Sequence, residues 1–209
     1  LIGENAGYGC KGFSNTIVGY HAGSASNTQS GQTIIGHQAH YNGNNKAGNT
    51  AVGKEAMMGA SGGNGSQTTA IGYEALKILN NGGNQNTALG YQAGDKVNTG
   101  TSNVIIGYSA ASTGTNDLTN GSNNIIIGSN AAASSATVSN EVTIGDANIT
   151  KLRIPGIDVV LKDNGGTPTQ GHVLTVDGSG EASFASAPVS APVGGASTNT
   201  VFFENDKAV

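Results

Sequence analysis

A short phrase recurs nine times along the chain: two or three β-forming residues, a glycine, two variable residues and then usually an alanine. It reads TIVGYHA from Thr16, TAIGYEA from Thr69 and TALGYQA from Thr87. Its glycines are spaced by 16, 17, 17, 19, 18, 17, 21 and 17 residues: Gly3, Gly19, Gly36, Gly53, Gly72, Gly90, Gly107, Gly128 and Gly145. A period near 17 is too short for a helical pair and too long for a hairpin. It predicts an all-β fold, a parallel β-solenoid (β-roll) of about nine coils over residues 1–148.

Composition narrows the function classes. The chain has 209 residues with 34 glycines, 11% charged residues and no tryptophan, which is unusual for a compact enzyme core. The regular β-branched positions argue against disorder. A net charge of −4, with Arg153 as the one arginine, leaves no basic stripe for nucleic acid. No apolar run approaches the roughly 20 residues of a membrane span, so we expect no membrane insertion. The lone Cys10 excludes an internal disulfide framework.

Strand alternation assigns two faces to each phrase. The residue before each glycine is always a large aliphatic, so we expect this column to fill the solenoid interior: Ile2, Val18, Ile35, Val52, Ile71, Leu89, Ile106, Ile127 and Ile144. The preceding residue then lies on the outer face and is mostly apolar: Leu1, Ile17, Ile34, Ala51, Ala70, Ala88, Ile105, Ile126 and Thr143. An apolar outer face needs a partner, and the simplest partner is another copy of the same rod.

The period ends after Gly145. Residues 149–186 predict a small β-rich C-terminal module, in which residues 172–176 and 181–185 flank the hairpin turn Asp177-Gly178-Ser179-Gly180. Residues 187–199 are typical of a Pro/Gly/Ala/Ser linker. Residues 200–209 begin a further β domain, so we expect the chain to be a fragment. A single helical turn is expected over residues 73–79.

The phrases TAIGYEA and TALGYQA resemble the head repeats of trimeric autotransporter adhesins, which form parallel β-rolls as intertwined homotrimers. The longer, irregular repeats are more similar to those of bacteriophage tail fibres. GHVLTVDGSGEASFASAP at 171–188, followed by STNTVFFEND at 197–206, resembles the distal parts of marine phage fibres and other virion structural proteins. The resemblance implies a homotrimer, and the outer apolar column then places Ile17, Ile34, Ile105 and Ile126 at its interface.

The function expected from this resemblance is that of a structural tail-fibre shaft in the virion, which supports or mediates host-surface attachment. Its partners would be its own copies, other virion tail proteins and a host cell-surface glycan or protein. The alternative is the head domain of a bacterial trimeric autotransporter adhesin on the outer-membrane surface. A monomeric ice-binding solenoid is a third reading, suggested by the column Thr16, Thr33, Thr50, Thr69 and Thr87. It ranks low because these threonines share a face with the expected core column.

Two side-chain groups are candidate binding sites. Stacked coils would place Tyr73, Tyr91 and Tyr108 in a ladder, either as structural stacking, which is favoured, or as a sugar-binding strip that contacts a receptor. His21, His37 and His40 are clustered, and a threefold axis would gather three copies of one histidine around a metal. They lack a recognised ligand spacing, so we expect solvated or interface histidines, no metal and no cofactor.

Catalytic residues are not expected. Glu55 and Glu74 are each the second residue after a repeat glycine, so stacking would pair two carboxylates as in a retaining glycosidase. A surface pair without catalytic use is the commoner outcome. No P-loop or CxxC motif is present. The longest inter-repeat segments, 57–67 and 112–123, are expected to loop out, either as neutral length variation or as binding loops.

Overall fold

The computed structural model describes residues 1–24, 30–43, 47–59, 65–80 and 82–152 in full, together with the backbone of the later strands. Two compact units divide the chain, Leu1–Ile149 and Thr150–Val209. The first is a parallel β-solenoid of about seven turns, as the repeat predicts. Its strands are β1 Thr16–Val18, β2 Thr33–Ile35, β3 Thr50–Val52, β4 Thr69–Ile71, β5 Thr87–Leu89, β6 Val104–Ile106, β7 Ile125–Ile127 and β8 Val142–Ile144.

The strands pair in sequence order in one parallel sheet, and equivalent repeat positions lie side by side, as in Thr50↔Thr69 and Val52↔Ile71. Seven intervals of about 4.8 Å make this sheet about 34 Å long. The coil count is lower than the nine phrases: the first phrase forms only an isolated bridge, Ile2↔Val18, and the other eight form strands that bound seven turns. The expected helical turn over residues 73–79 is wrong: these residues form turns, and the described part of the chain contains no helix.

The two strand faces are the reverse of the sequence assignment. The middle residues of β1, β2, β6 and β7 are Ile17, Ile34, Ile105 and Ile126, and they are at most 1% exposed within a single chain. The residues before the glycines are half-buried or exposed instead. Ile17, Ile34, Ile105 and Ile126 therefore fill the interior, and their assignment to an interface between chains is wrong.

Turn geometry explains this reversal. The alanines three residues after the repeat glycines are fully buried from Ala22 to Ala131, so both the middle strand residue and this alanine project inward. The interior of one coil is narrow, and it accepts a middle alanine in β3, β4 and β5. Met57, Leu76, Leu79, Val97 and Leu118 fill the remaining volume. The column that includes alanine therefore lies inside the coil with the turn alanines, and the column with a large aliphatic residue in every strand remains outside.

Each strand is followed by a glycine because the backbone there takes φ values that other residues rarely adopt. Gly72 has a φ of 140°, a conformation that L side chains rarely adopt. A Cβ at Gly72 would also overlap the carbonyl oxygen of Gly90 in the next coil. The stacked repeat glycines thus allow successive backbones to lie in contact at this corner.

A buried polar ladder runs along the other end of the strands. The residue before each strand accepts a hydrogen bond from the backbone N–H of its counterpart in the next coil, as Asn86 Oδ1 does from Asn103 (2.9 Å) and Asn103 Oδ1 from Asn124 (3.0 Å). Asn103 Nδ2 also donates to the Gly121 carbonyl at 3.0 Å. Asn49, Asn86, Asn103 and Asn124 are at most 1% exposed. These side chains satisfy interior backbone groups that the short strands leave unpaired.

The second unit contains a four-stranded sheet of order β11-β12-β10-β9. Its strands are β9 Lys151–Ile154, β10 Val159–Lys162, β11 His172–Val176 and β12 Glu181–Ser186. β11 and β12 pair antiparallel, whereas β10 and β12 pair parallel. The expected hairpin turn 177–180, the linker 187–199 and the domain start 200–209 lie outside the described residues.

Candidate interaction surfaces

An exposed aliphatic column runs along the outside of the solenoid sheet. We define the outer stripe as the residues before the glycines of β1–β8: Val18, Ile35, Val52, Ile71, Leu89, Ile106, Ile127 and Ile144. Ile35, Leu89 and Ile144 are 39%, 46% and 58% exposed. Large aliphatic side chains at consecutive rungs of one sheet form a continuous apolar surface, and such surfaces usually mark interaction sites.

A second outward column lies two residues before the outer stripe. It begins with Thr16, Thr33, Thr50, Thr69 and Thr87, which pair in register from strand to strand. It continues with Val104, Ile125 and Val142, of which Val142 is 63% exposed. The sheet face is thus half threonine and half aliphatic over β1–β5 and wholly aliphatic over β6–β8.

The expected tyrosine ladder is present in the structure. The ring centroids of Tyr73 and Tyr91 are 5.0 Å apart with an interplanar angle of 8°, and those of Tyr91 and Tyr108 are 5.2 Å apart at 11°. Lys54 Nζ lies 5.5 Å from the Tyr73 centroid on the opposite side. The rings therefore cover one another's faces and present their edges to solvent, which is unlike a strip of coplanar rings for a sugar chain.

Glu55 and Glu74 are brought together, with a lysine between them. Lys77 Nζ lies 2.9 Å from Glu55 Oε2 and 2.7 Å from Glu74 Oε1. Gln92 Nε2 donates to Glu74 Oε2 at 2.7 Å. The hydrogen bond from Lys77 lowers the pKa of Glu55, and the hydrogen bonds from Lys77 and Gln92 lower the pKa of Glu74 despite its burial. A glycosidase acid needs a raised pKa, so this arrangement favours a structural ion cluster.

The three clustered histidines have different environments. His37 is exposed and stacks on Tyr20 at 5.2 Å, and His21 contacts the edges of Tyr20 and Tyr41. His40 is fully buried, which corrects the expectation of a solvated or interface residue. Burial lowers the pKa of His40 to about 4, and Asn49 Nδ2 lies 3.2 Å from its Nε2. Among the described residues, no group of three His, Cys, Asp or Glu side chains is placed to hold a metal.

The two long inter-repeat segments are described to different extents. Part of the segment 57–67 lies outside the described residues. In the segment 112–123, Leu118 is fully buried in the core, and Asp117 Oδ1 accepts a hydrogen bond from the Gly114 N–H at 2.7 Å. Ser112 Oγ also donates to Asp95 Oδ1. The insertion is therefore anchored at Leu118, with its exposed tip at 114–116.

Sequence reasoning located the tyrosine ladder and the carboxylate pair, but it missed the asparagine ladder and Lys77. The asparagines had a visible signal, because Asn15, Asn49, Asn86, Asn103 and Asn124 each directly precede a strand. Lys77 had none, since its position five residues after Gly72 is not repeated as lysine.

No protein-family model, curated protein or solved structure matches the chain. Within the described residues, no helix is long and apolar enough to cross a membrane.

Proposed function

We propose that the chain is the shaft of a homotrimeric fibre whose protomers pack through the outer stripe. The observation that carries this proposal is the row of aliphatic side chains left uncovered across β1–β8. Ile35, Ile71 and Leu89 are 39%, 37% and 46% exposed, although their column holds a large aliphatic residue in every strand. The proposed interface is therefore the column before the glycines, in place of Ile17, Ile34, Ile105 and Ile126, which are buried in a single chain.

The stripe suits association between copies of this chain. Each rung presents one aliphatic side chain in the same register, so parallel copies meet like residues at every level. Removal of about 1,000 Å² of apolar surface from water contributes roughly 25 kcal/mol before the entropy of association is subtracted. The interior of each coil holds mainly alanines and one or two larger aliphatic side chains. Burial of the outer stripe would therefore add substantially to the apolar surface that a single chain buries. The resemblance of the repeat to adhesin heads and tail fibres favours three chains.

The fibre would serve in host-surface attachment as part of a virion tail, supporting or performing recognition of a cell-surface glycan or protein. The C-terminal β module would join the shaft to the next part of the fibre or to other virion tail proteins. Weak contacts gain strength when three chains and several fibres present them together. The alternative is the head of a bacterial trimeric autotransporter adhesin, whose repeats resemble those of this chain. Genes for tail or capsid proteins beside this one would favour the tail-fibre function. A translocating β-barrel encoded in the full-length gene would favour the adhesin function.

An ice-binding solenoid is a second candidate, and the outward column of threonines favours it. Thr16, Thr33 and Thr50 project from the outer face in register, whereas the sequence alone had placed them on the core side. Against it, the column holds Val104, Ile125 and Val142 beyond β5, so the threonine array is one residue wide and incomplete. The purified chain should show no thermal hysteresis; hysteresis together with a monomeric mass would establish this candidate instead.

The direct test of the trimer is the absolute mass of the purified chain in solution, by light scattering behind size exclusion. Three copies of a 20.7 kDa chain give about 62 kDa. A mass that stays at one chain over the accessible concentration range contradicts the proposal.

A further inference from the structure

The tyrosine ladder ends abruptly at Tyr108. Tyr73 and Tyr91 have ring partners or a lysine on each face. Tyr108 has Tyr91 on one face, whereas the next rung of the same column holds Ser129. Residues 101–152 are all described, and none of them makes a ring contact with Tyr108. A serine hydroxymethyl group is too short to cover a phenol ring, so among the described residues no ring or cation covers the second face of Tyr108, which we call its open face.

Solvent exposure is consistent with this open face. Tyr108 is 55% exposed, whereas Tyr91, with a ring on each side, is 42% exposed. Successive ring centroids are 5.0 and 5.2 Å apart, so a further ring stacked on Tyr108 would lie at the level of Ser129, and we call this level the vacant position. A planar or nearly planar ring seated there would continue the stack as its fourth member.

The groups around the vacant position are polar and uncharged at the nearest rung. Ser129 Oγ and Asn130 Nδ2 lie 3.4 Å from each other, and both residues are exposed. One rung further, Asp146 accepts hydrogen bonds from Asn148 N at 3.0 Å and from Asn148 Nδ2 at 2.9 Å. A hydroxyl, an amide and a carboxylate together offer donors and acceptors to hydroxyl groups on the rim of a ligand ring.

We propose that the open face of Tyr108, with Ser129 and Asn130, is a binding site for one neutral pyranose unit. The axial C–H groups of a pyranose carry partial positive charge and pack on the negative face of a phenol ring, while its equatorial hydroxyls point sideways toward Ser129 and Asn130. The carboxylate of Asp146 disfavours acidic sugars by like-charge repulsion. The inference deepens the proposed attachment function by naming the receptor class, and it confines recognition to the end of the ladder, because the other rings expose only their edges.

The test uses saturation-transfer NMR, with saturation of the aliphatic methyl protons of the intact chain, a region in which neither the pyranosides nor phenol has a resonance. The probes are the methyl pyranosides of glucose, galactose, mannose and N-acetylglucosamine in the millimolar range, with phenol as an aromatic competitor. We expect at least one methyl pyranoside to receive saturation on a single ring face. Tyr108→Ala should abolish this signal, and the exposed Tyr8→Ala, outside the ladder, should retain it.

The decisive variant is Ser129→Lys, which retains Tyr108 and places a lysine over its second face, as Lys54 lies over Tyr73. Unlike a further ring, a lysine offers no new ring face to a sugar. It should abolish pyranoside binding while circular dichroism and the mass in solution remain those of the parent chain. Failure of every methyl pyranoside to bind overturns the proposal, as does binding that survives in Ser129→Lys. Binding of phenol alone would show that the site takes aromatic side chains and would also overturn it. A trimeric mass without sugar binding rejects this inference and leaves the proposed shaft intact.

Discussion

Ile34 and Ile35 are adjacent in β2, yet Ile34 is inaccessible to solvent and Ile35 is 39% exposed. The strand pleat directs the first side chain into the coil and the second away from it. The same division recurs along the sheet. Two isoleucines of equal hydrophobicity therefore have different roles: Ile34 stabilises a single coil, whereas Ile35 is available to bind another chain.

Charge on the outer stripe should dissociate the assembly. Ile71 lies on the stripe and is 37% exposed, whereas Ile78 lies in the following turn and is 36% exposed. Ile71→Lys should shift the mass in solution toward the single chain, because three copies would bring buried lysines together at one level. Ile78→Lys is matched in exposure and in chemical change, and it should leave the mass unchanged. Equal masses for the two variants would show that the stripe does not hold the chains together.

Loss of one asparagine of the buried ladder should destabilise the solenoid. The Asn103 side chain accepts from Asn124 N at 3.0 Å and donates to Asn86 Oδ1 and the Gly121 carbonyl, both at 3.0 Å. Asn103→Ala leaves these buried partners, the Asn124 N–H, Asn86 Oδ1 and the Gly121 carbonyl, without their hydrogen bonds to Asn103. It should therefore lower the free energy of unfolding by about 3 kcal/mol.

Urea denaturation at a fixed protomer concentration measures this loss, since the stability of an oligomer depends on concentration. The control is Asn120→Ala, because Asn120 is exposed and its Oδ1 accepts one surface hydrogen bond from Thr99. It should cost about 0.5 kcal/mol or less. A loss for Asn103→Ala as small as that of the control would indicate that the ladder contributes little.

The stacked glycine corner should tolerate no side chain. Gly72→Ala requires a φ of 140° and overlaps the Gly90 carbonyl oxygen, so it should lower the free energy of unfolding by more than about 3 kcal/mol. Gly114 also has a positive φ, of 82°, but its Cβ position is open. Gly114→Ala should therefore cost only about 1 kcal/mol, as backbone strain alone. Thermal unfolding by circular dichroism separates the two, and similar midpoints would contradict the close approach of adjacent coils.

Acid should weaken the solenoid through His40. Burial holds the pKa of His40 at about 4, against 6.5 for an ordinary histidine, so the unfolded chain binds the proton more readily. Its contribution is fully present above pH 6.5 and is lost as the pH falls toward 4. The difference between the two pKa values lowers the free energy of unfolding by about 2–3 kcal/mol between pH 7.5 and 4.5.

His40→Asn should flatten this pH dependence, whatever its effect on stability at neutral pH. His37→Asn, at an exposed histidine three residues away, should retain the slope of the parent chain. The upper part of this window is the most informative, because Glu55, Glu74 and Glu141 have pKa values lowered from the ordinary 4.5 and their contributions start to be lost only as the pH approaches that value. An unchanged slope in His40→Asn would assign the acid sensitivity to other groups.

The spacing of the glycines predicts the solenoid because the same phrase recurs at a nearly constant interval along the chain. Strand limits followed for the same reason, since each strand ends at its glycine. The face assignment failed at Ile34 and Ile35, because both columns are apolar and alternation alone does not say which one points inward. The deciding features are the narrow coil interior and the alanine three residues after each glycine, which must share the side of the smaller column.

The sequence also predicts some features of the candidate sites and not others. Tyr73, Tyr91 and Tyr108 occupy equivalent repeat positions, so stacking follows from register alone. The orientation of their rings, and thus the open face of Tyr108, requires side-chain geometry. His40 illustrates the limit: a histidine in a polar stretch has no sequence signal of burial, and its position in the core follows from the turn between β2 and β3.

The proposed fibre requires that further copies of the chain cover the outer stripe. Light scattering behind size exclusion on the unmodified protein measures this directly, without any assumption about host or receptor. We expect a mass of about 62 kDa, three times the 20.7 kDa protomer, independent of dilution over the measurable range. A mass of 20.7 kDa at every concentration would contradict it, and the exposed face of the sheet would then belong to a monomeric binding solenoid.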